Sequence, residues 1–290
     1  MRLGISGEVL AETHTLSQIV DVLQSLDVHA IELWPQNLPG GEGPEASQRF
    51  EMKDVAGTRR LLQERGVDVA CVTLGVGVLH TCEEAGAAYG TDALKGAVDA
   101  AAALGAPLVN CYLAGISPEL FVAAAQPAAE YAGAAGVTIV LENEAHDDSG
   151  QAMSVRAIVE AVGSPHFGTQ YDPCNYYHAN EEPYPGAYEI VKPYVRYVHL
   201  KGGCHYDPHA RPHDNKGGTM RGSDDRYIGY TSIADGVVNA DGVLRRLAQD
   251  GYNGFVTLEP HIRPEDAVAY YQIDVPYVQE RLRALQTVSA

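Results

Sequence analysis

Short apolar runs recur along the chain at regular intervals, and between them apolar residues are spaced at the helical period. In the first half, Leu3 to Ile5, His29 to Leu33, Val67 to Leu74 and Pro107 to Leu113 read as strands. In the second half, Val137 to Leu141, Phe167 to Tyr171, Val195 to Val198 and Phe255 to Leu258 do the same. Thr15 to Gln18 is a capping-box pattern, and Ile19, Val20, Leu23 and Leu26 follow it at helical spacing. Leu61 and Leu62 belong to a helix that stops at Gly66, a left-handed C-cap position. The alanine-rich stretch predicts a helix from about Thr91 to Leu104, stopped by Gly105. Ser117, Pro118 and Glu119 open another, with proline in its first turn, which runs to about Ala135 and closes on Gly136. Val155, Ile158, Val159 and Val162 mark a helix ending at Gly163, and Val243, Leu244 and Leu247 one ending at Gly251. A Tyr- and Pro-rich stretch, Tyr176 to Tyr188, leads into a short helix near Ile190. The last helix begins near Pro264, and Pro276 predicts a kink in it.

Eight strand–helix units follow one another without a linker or a composition break, and eight is the number that closes a parallel barrel. The expected fold is therefore α/β, a (β/α)8 TIM barrel forming a single domain over residues 1–290, with an extended loop after the seventh strand. A chain of 290 residues suits that fold, whose usual length is about 250 residues before insertions. An open doubly wound sheet would want a Gly-rich GxGxxG turn after the first strand, and Gly4 to Gly7 does not supply one.

The last four strands end on side chains that are costly to bury: Glu142, Asp172, His199 and Glu259. In a parallel barrel the reactive groups sit at the C-terminal ends of the strands, and these four strands are consecutive around the wall. Three carboxylates and one imidazole drawn to one axial position suggest a single divalent cation. With no thiolate in the set, Mn²⁺ is the first expectation, and Mg²⁺ or Co²⁺ also fit the hard octahedral donor set.

The formal net charge of −18 argues against a nucleic-acid or anionic-membrane partner, because phosphate contacts need a basic surface. The 5 cysteines carry no CxxC pair, which reads as reduced thiols in a cytoplasmic compartment. No run approaches the ~18 apolar residues of a membrane helix, and the start of the chain lacks the apolar core of a signal peptide.

Further candidates surround the presumed site. Lys201 follows His199 by two positions, so a continuing strand turns it the same way, where it would polarise a substrate oxygen in catalysis or hold a phosphate of the substrate. His261 stands in the same relation to Glu259 and reads as a substrate contact. His146, in the acidic stretch Glu142 to Asp148, is an alternative base. Trp34, which with Glu32 ends the second strand, offers an aromatic face on which a substrate ring could stack. Cys174 and Cys204 read as structural. The polar segment from Gly202 to Gly236 carries His205, His209, His213, Arg211, Arg221 and Arg226. It is too long for an ordinary barrel loop and reads as a lid, with His205 as a substrate contact, or as a surface for a second chain.

Four motifs carry a resemblance: Leu141 to Asn143, Tyr171 to Asn175, Val198 to Lys201, and the long Gly251 to His261, which is the most specific. Through them the whole barrel, its second half above all, resembles the xylose isomerase-like TIM-barrel superfamily of sugar (phosphate) isomerases and epimerases. The resemblance implies Glu142, Asp172, His199 and Glu259 as metal ligands, with the two glutamates exchanging protons beside a metal-bound carbonyl of a sugar or keto-sugar. A divalent ion stabilises the developing enediolate, and a facing carboxylate acts as general base. Asn175 stands where many epimerases carry a histidine, and is counted with the substrate contacts; Glu144 stands at another position that is histidine in many relatives. The runner-up is a lyase on the same intermediate: an inosose dehydratase, or the catalytic subunit of a C-glycoside deglycosidase acting on 3-keto-glycosides with a small partner subunit. Homo-oligomerisation is the family-level expectation. No phosphate-binding glycine turn is evident, which points to an unphosphorylated or keto-sugar substrate.

Overall fold

Every strand of the barrel wall is short and nearly all buried, so each must satisfy its backbone polar groups by pairing on both sides. The computed structural model describes residues 1–41, 43, 48–206, 218–223 and 225–288. The strands are β1 (Arg2–Ser6), β2 (Ala30–Leu33), β3 (Asp68–Thr73), β4 (Leu108–Cys111), β5 (Thr138–Glu142), β6 (Phe167–Tyr171) and β7 (Val195–Leu200). An insertion carrying β8 (Gly202–Tyr206), β9 (Gly218–Thr219) and β10 (Tyr227–Thr231) precedes the last wall strand, β11 (Phe255–Leu258). The wall closes in the order β1-β11-β7-β6-β5-β4-β3-β2, with each neighbouring pair parallel. This is the expected (β/α)8 barrel. Ala30, Ala70, Cys71, Leu108, Val140, Tyr197 and Phe255 come from six of its strands and pack together, which they can do only inside the ring.

The helices are α1 (Leu16–Ser25), α2 (Val55–Glu64), α3 (Cys82–Ala85), α4 (Ala87–Leu104), α5 (Pro118–Ala134), α6 (Ala152–Val162), α7 (Pro173–His178), α8 (Tyr188–Val191), α9 (Ala240–Gln249) and α10 (Ala267–Val288). The capping box is present: the Thr15 hydroxyl accepts from Gln18 N–H at 3.4 Å, and the Gln18 side chain accepts from Thr15 N–H at 2.9 Å. Leu16, Ile19, Val20 and Leu23 then turn one face of α1 into the core. Ser117 caps α5 with Pro118 in its first turn, and α6 stops at Gly163 in the left-handed region. Pro276 lies inside α10, which is not divided there.

Two differences from the sequence expectation have local causes. The alanine-rich helix begins at Ala87 rather than near Thr91, because the break falls at Gly86, whose φ of 81° separates α3 from α4. The segment after β7 is not uniformly a loop: β8 and β10 pair antiparallel, with Gly203 opposite Tyr230, and β9 extends the sheet. Met220, Ile228, Tyr230 and Val238 pack with Cys174, giving this sheet its own apolar anchor on the barrel. A side chain at Gly202 would meet the Ser232 carbonyl oxygen at 2.0 Å, so the chain can turn out of the barrel there only as glycine. His209, Arg211 and His213 lie outside the described residues. Among the described residues, no helix is long and apolar enough to cross a membrane.

Candidate metal centre

The parallel wall brings the ends of β5, β6, β7 and β11 side by side, and their polar tips meet. Glu142, Asp172, His199 and Glu259 are all buried, and each offers an oxygen or ring nitrogen within 4.8 Å of the others. Local structure aims each one. Asp172 caps α7, its Oδ1 accepting from Cys174 N–H at 2.8 Å and Asn175 N–H at 3.0 Å, with Pro173 filling the first helical position. Its backbone is locked to Asn143, whose side chain accepts from Asp172 N–H at 2.8 Å and donates to its carbonyl at 2.9 Å. Glu142 accepts from the Asn110 amide at 2.8 Å and the Asn175 amide at 3.3 Å. His199 Nδ1 points inward, 3.3 Å from Glu259 Oε2 and 3.8 Å from Glu142 Oε1.

Lys201 enters the same centre. Its Nζ is 2.9 Å from both Asp172 Oδ2 and Glu259 Oε2, and 3.2 Å from His261 Nε2. Burial acts against its charge, but Asp172 and Glu259 outweigh that and hold the ammonium well above its usual range. The two glutamates are driven apart. Burial, then the Glu259 carboxylate, pushes Glu142 up to about 8. Burial acts on Glu259 in the same sense, yet Lys201 and then His199 hold it well below the carboxylate range. The same cluster thus pulls the two carboxyls in opposite directions.

The donor set suits a hard divalent ion: three carboxylates, one imidazole and no thiolate. One of the buried atoms in it, His199 Nδ1, makes no hydrogen bond, while Asp172 Oδ2 is met by the Lys201 ammonium. Buried polar atoms seldom stay unsatisfied, and His199 Nδ1 belongs to the group of converging donors. The residues present therefore fit such an ion.

The other sequence candidates fall at different distances from this centre. His261 touches it, 3.2 Å from Glu259 Oε2, with its ring against Tyr230. Asn175 is buried, and its amide donates to Glu142 and to the Asn143 carbonyl. Trp34 is buried beside the Tyr112 ring and donates to Ser6. His146 does not join the cluster: its side chain is 70 % exposed and its ring meets that of His178. The loop turns Ala145 inward and leaves His146 at the rim. His205 also stands apart, exposed on β8, where it lines a separate cleft of about 480 Å³ with Tyr177, Glu181 and Arg226. Cys174 is buried, and burial raises its thiol far above the reactive range.

Several residues escaped the sequence reading. Tyr230 from the insertion packs on His261, and its hydroxyl lies 3.3 Å from His178 Nδ1. Asn110 in β4 reaches Glu142. Glu32 in β2 lies 2.5 Å from His199 Nε2. A carboxylate or amide set in an apolar strand was the available signal for Glu32 and Asn110, and it is the same signal that marks the four strand tips.

A family model described as xylose isomerase-like TIM barrel matches residues 20–282. No curated protein matches the chain. Among solved structures, D-allulose 3-epimerase from Methylomonas sp., in complex with D-allulose, is 18% identical, with a TM-score of 0.69 over 97% of this chain and 97% of that one. A xylose isomerase-like TIM-barrel protein from Mycobacterium smegmatis, in complex with magnesium, is 14% identical, with a TM-score of 0.73 over 98% and 97%. A probable 3-DHS dehydratase from Bacillus anthracis is 14% identical, with a TM-score of 0.66 over 96% and 99%.

Proposed function

The chain belongs to the xylose isomerase-like TIM-barrel family, and from that premise we propose that it is a divalent-metal-dependent isomerase or epimerase of a sugar or keto-sugar. The observation that carries the proposal is the buried cluster of Glu142, Asp172, His199 and Glu259 with Lys201 set between two of its carboxylates. Glu142, Asp172, His199 and Glu259 would hold the ion, Mn²⁺ for preference, with Mg²⁺ or Co²⁺ as substitutes. When bound, such an ion supplies Lewis acidity to a substrate carbonyl and makes the adjacent C–H bond more acidic.

The chain's own residues then do the proton work. Glu259, kept ionised by Lys201 and His199, takes a proton from the carbon beside the carbonyl. Glu142, three strands round the wall, delivers one from its own side. Asn110 and Asn175 fix the Glu142 carboxyl in place. Lys201 and His261 face a substrate hydroxyl or oxyanion from the β7 and β11 side, and Tyr230 closes the wall behind His261. A structural relative in complex with D-allulose supports a neutral sugar as the substrate class.

A second reading, a lyase, is kept open by Lys201. A buried ammonium beside the base can hydrogen-bond the oxygen of a leaving hydroxide or aglycone and stabilise its developing charge, and a probable dehydratase shares the fold. A small partner subunit belongs to the aglycone case. Proton NMR in deuterium oxide, on a panel of keto-sugars with and without chelator, separates the readings. Exchange into an unfragmented sugar supports isomerisation; release of water or an aglycone supports the lyase. No chelator-sensitive exchange or release on any substrate, from protein shown to contain metal, would sink both.

A further inference from the structure

We propose that Glu32 is a positioning residue for the metal centre: it holds His199 as an Nε2–H donor, so that Nδ1 is the nitrogen presented to the ion. The inference rests on the metal reading above.

Glu32 is fully buried in an apolar strand, where an ionised carboxylate is tolerated only with donors around it. It has three. His199 Nε2 lies 2.5 Å and the Tyr197 hydroxyl 2.6 Å from its Oε2, and the Thr73 hydroxyl donates to its Oε1 at 2.8 Å. Tyr197 is itself fixed by Thr257 at 2.7 Å. An ionised carboxylate can only accept, so the nitrogen that faces it must carry the proton. With Nε2–H committed to Glu32, Nδ1 is the free ring nitrogen. It is the nitrogen turned toward Glu259 Oε2 and Glu142 Oε1, and it makes no hydrogen bond. The carboxylate–imidazole–metal chain is a general way of fixing ligand orientation. Here the carboxylate comes from β2, a strand that supplies none of the four ligands.

A purely structural account is also available, because Glu32 links β2 to β3 and β7. The test separates the two. Mn²⁺ is titrated by calorimetry into metal-free parent protein, Glu32→Gln and Thr73→Val. Thr73→Val removes a hydrogen bond to Glu32 without touching the imidazole. In parallel, the Mg²⁺-loaded, ¹⁵N-labelled parent is examined for the ring protons of His199, assigned by their loss in His199→Gln. The expected results are an Nε2-bound proton shifted far downfield, a Mn²⁺ dissociation constant raised ~10–100-fold in Glu32→Gln, and little change in affinity in Thr73→Val. A structural role alone would lower the melting temperature of both variants and leave both affinities at the parent value, which would overturn the proposal. Should Glu32→Gln not fold, the parent spectrum decides: a proton on Nδ1 with bare Nε2 in the Mg²⁺ form overturns it. A parent protein that binds no Mn²⁺ overturns the metal reading and this inference with it.

Discussion

Lys201 Nζ lies 2.9 Å from Glu259 Oε2 in a setting where both residues are only 2% exposed. An ammonium so placed is tolerated only because Asp172 stands equally close on its other side. Four buried carboxylates, those of Glu32, Glu142, Asp172 and Glu259, share this end of the barrel, and the Lys201 ammonium and the His199 imidazole reach them.

Removing that ammonium should therefore leave uncompensated buried charge. Lys201→Met is expected to destabilise the chelated protein by roughly 3–5 kcal/mol, the usual consequence of taking one partner from a buried pair. Saturating Mn²⁺ should recover part of the loss, because a divalent ion neutralises the same carboxylates. Denaturant unfolding with EDTA and with Mn²⁺ measures both. Equal midpoints for parent and variant in EDTA would show that the pair contributes nothing.

Chelation should act on stability as well as on turnover. A ligand bound only by the folded state adds about 2.7 kcal/mol at a concentration 100 times its dissociation constant. For a chain of this size each kcal/mol moves the melting temperature by a few degrees, roughly 2–4 °C in domains of 150–250 residues. Differential scanning calorimetry with EDTA, then with Mn²⁺, Mg²⁺ and Co²⁺ added back, is expected to show a rise with each, largest for Mn²⁺. Identical melts in all four conditions would remove the metal centre from consideration.

The two glutamates are expected to fail differently from the residues that position them. At saturating metal, Glu142→Gln and Glu259→Gln should each lower kcat by about 10²–10⁴, the range that general acid–base groups supply. Asn110→Ala removes one of two amides that hold Glu142, and should cost on the order of tenfold for a single lost hydrogen bond of about 1–2 kcal/mol. Deuterium exchange at the carbon beside the carbonyl should vanish in Glu259→Gln. Exchange at the parent rate in that variant would assign the base elsewhere.

The strand tips were legible because each puts one charged or imidazole group at the end of an apolar run, and the chain has no other way to satisfy it than to bring the tips together. Glu32 carries the same signature. It was passed over because its partner, His199, is brought near only by barrel closure. The helix α7 carries a start signal, aspartate at the cap and proline after it, but is too short to show an apolar period. The insertion's sheet was masked by its polar and glycine-rich sequence, in which only Ile228 and Tyr230 betray a buried strand. His146 sits at the rim, because nearness to Glu142 in sequence does not fix which way a loop side chain turns; Ala145 and Ser149 take the inward positions.

The way the insertion returns to the barrel predicts a pH effect on stability. Asp274 of α10 accepts from Ile233 N–H at 2.8 Å just after β10, and is only 1% exposed. Burial raises its carboxyl to about 7, against the opposing pull of the Ile233 N–H. An unfolded aspartate titrates near 3.9, about three units lower. Between those two values the folded protein binds more protons than the unfolded chain, so this group makes stability fall as pH rises from about 4 to about 7. Asn at this position keeps an oxygen for Ile233 and has no proton to lose. Asp274→Asn should therefore match the parent closely near pH 4, and exceed it above pH 7 by on the order of 4 kcal/mol. Urea unfolding of both proteins at a series of pH values from 5 to 8 measures the divergence. If the two stability curves run parallel across that range, Asp274 is ionised throughout, and the N–H of Ile233 meets a carboxylate rather than a carboxylic acid.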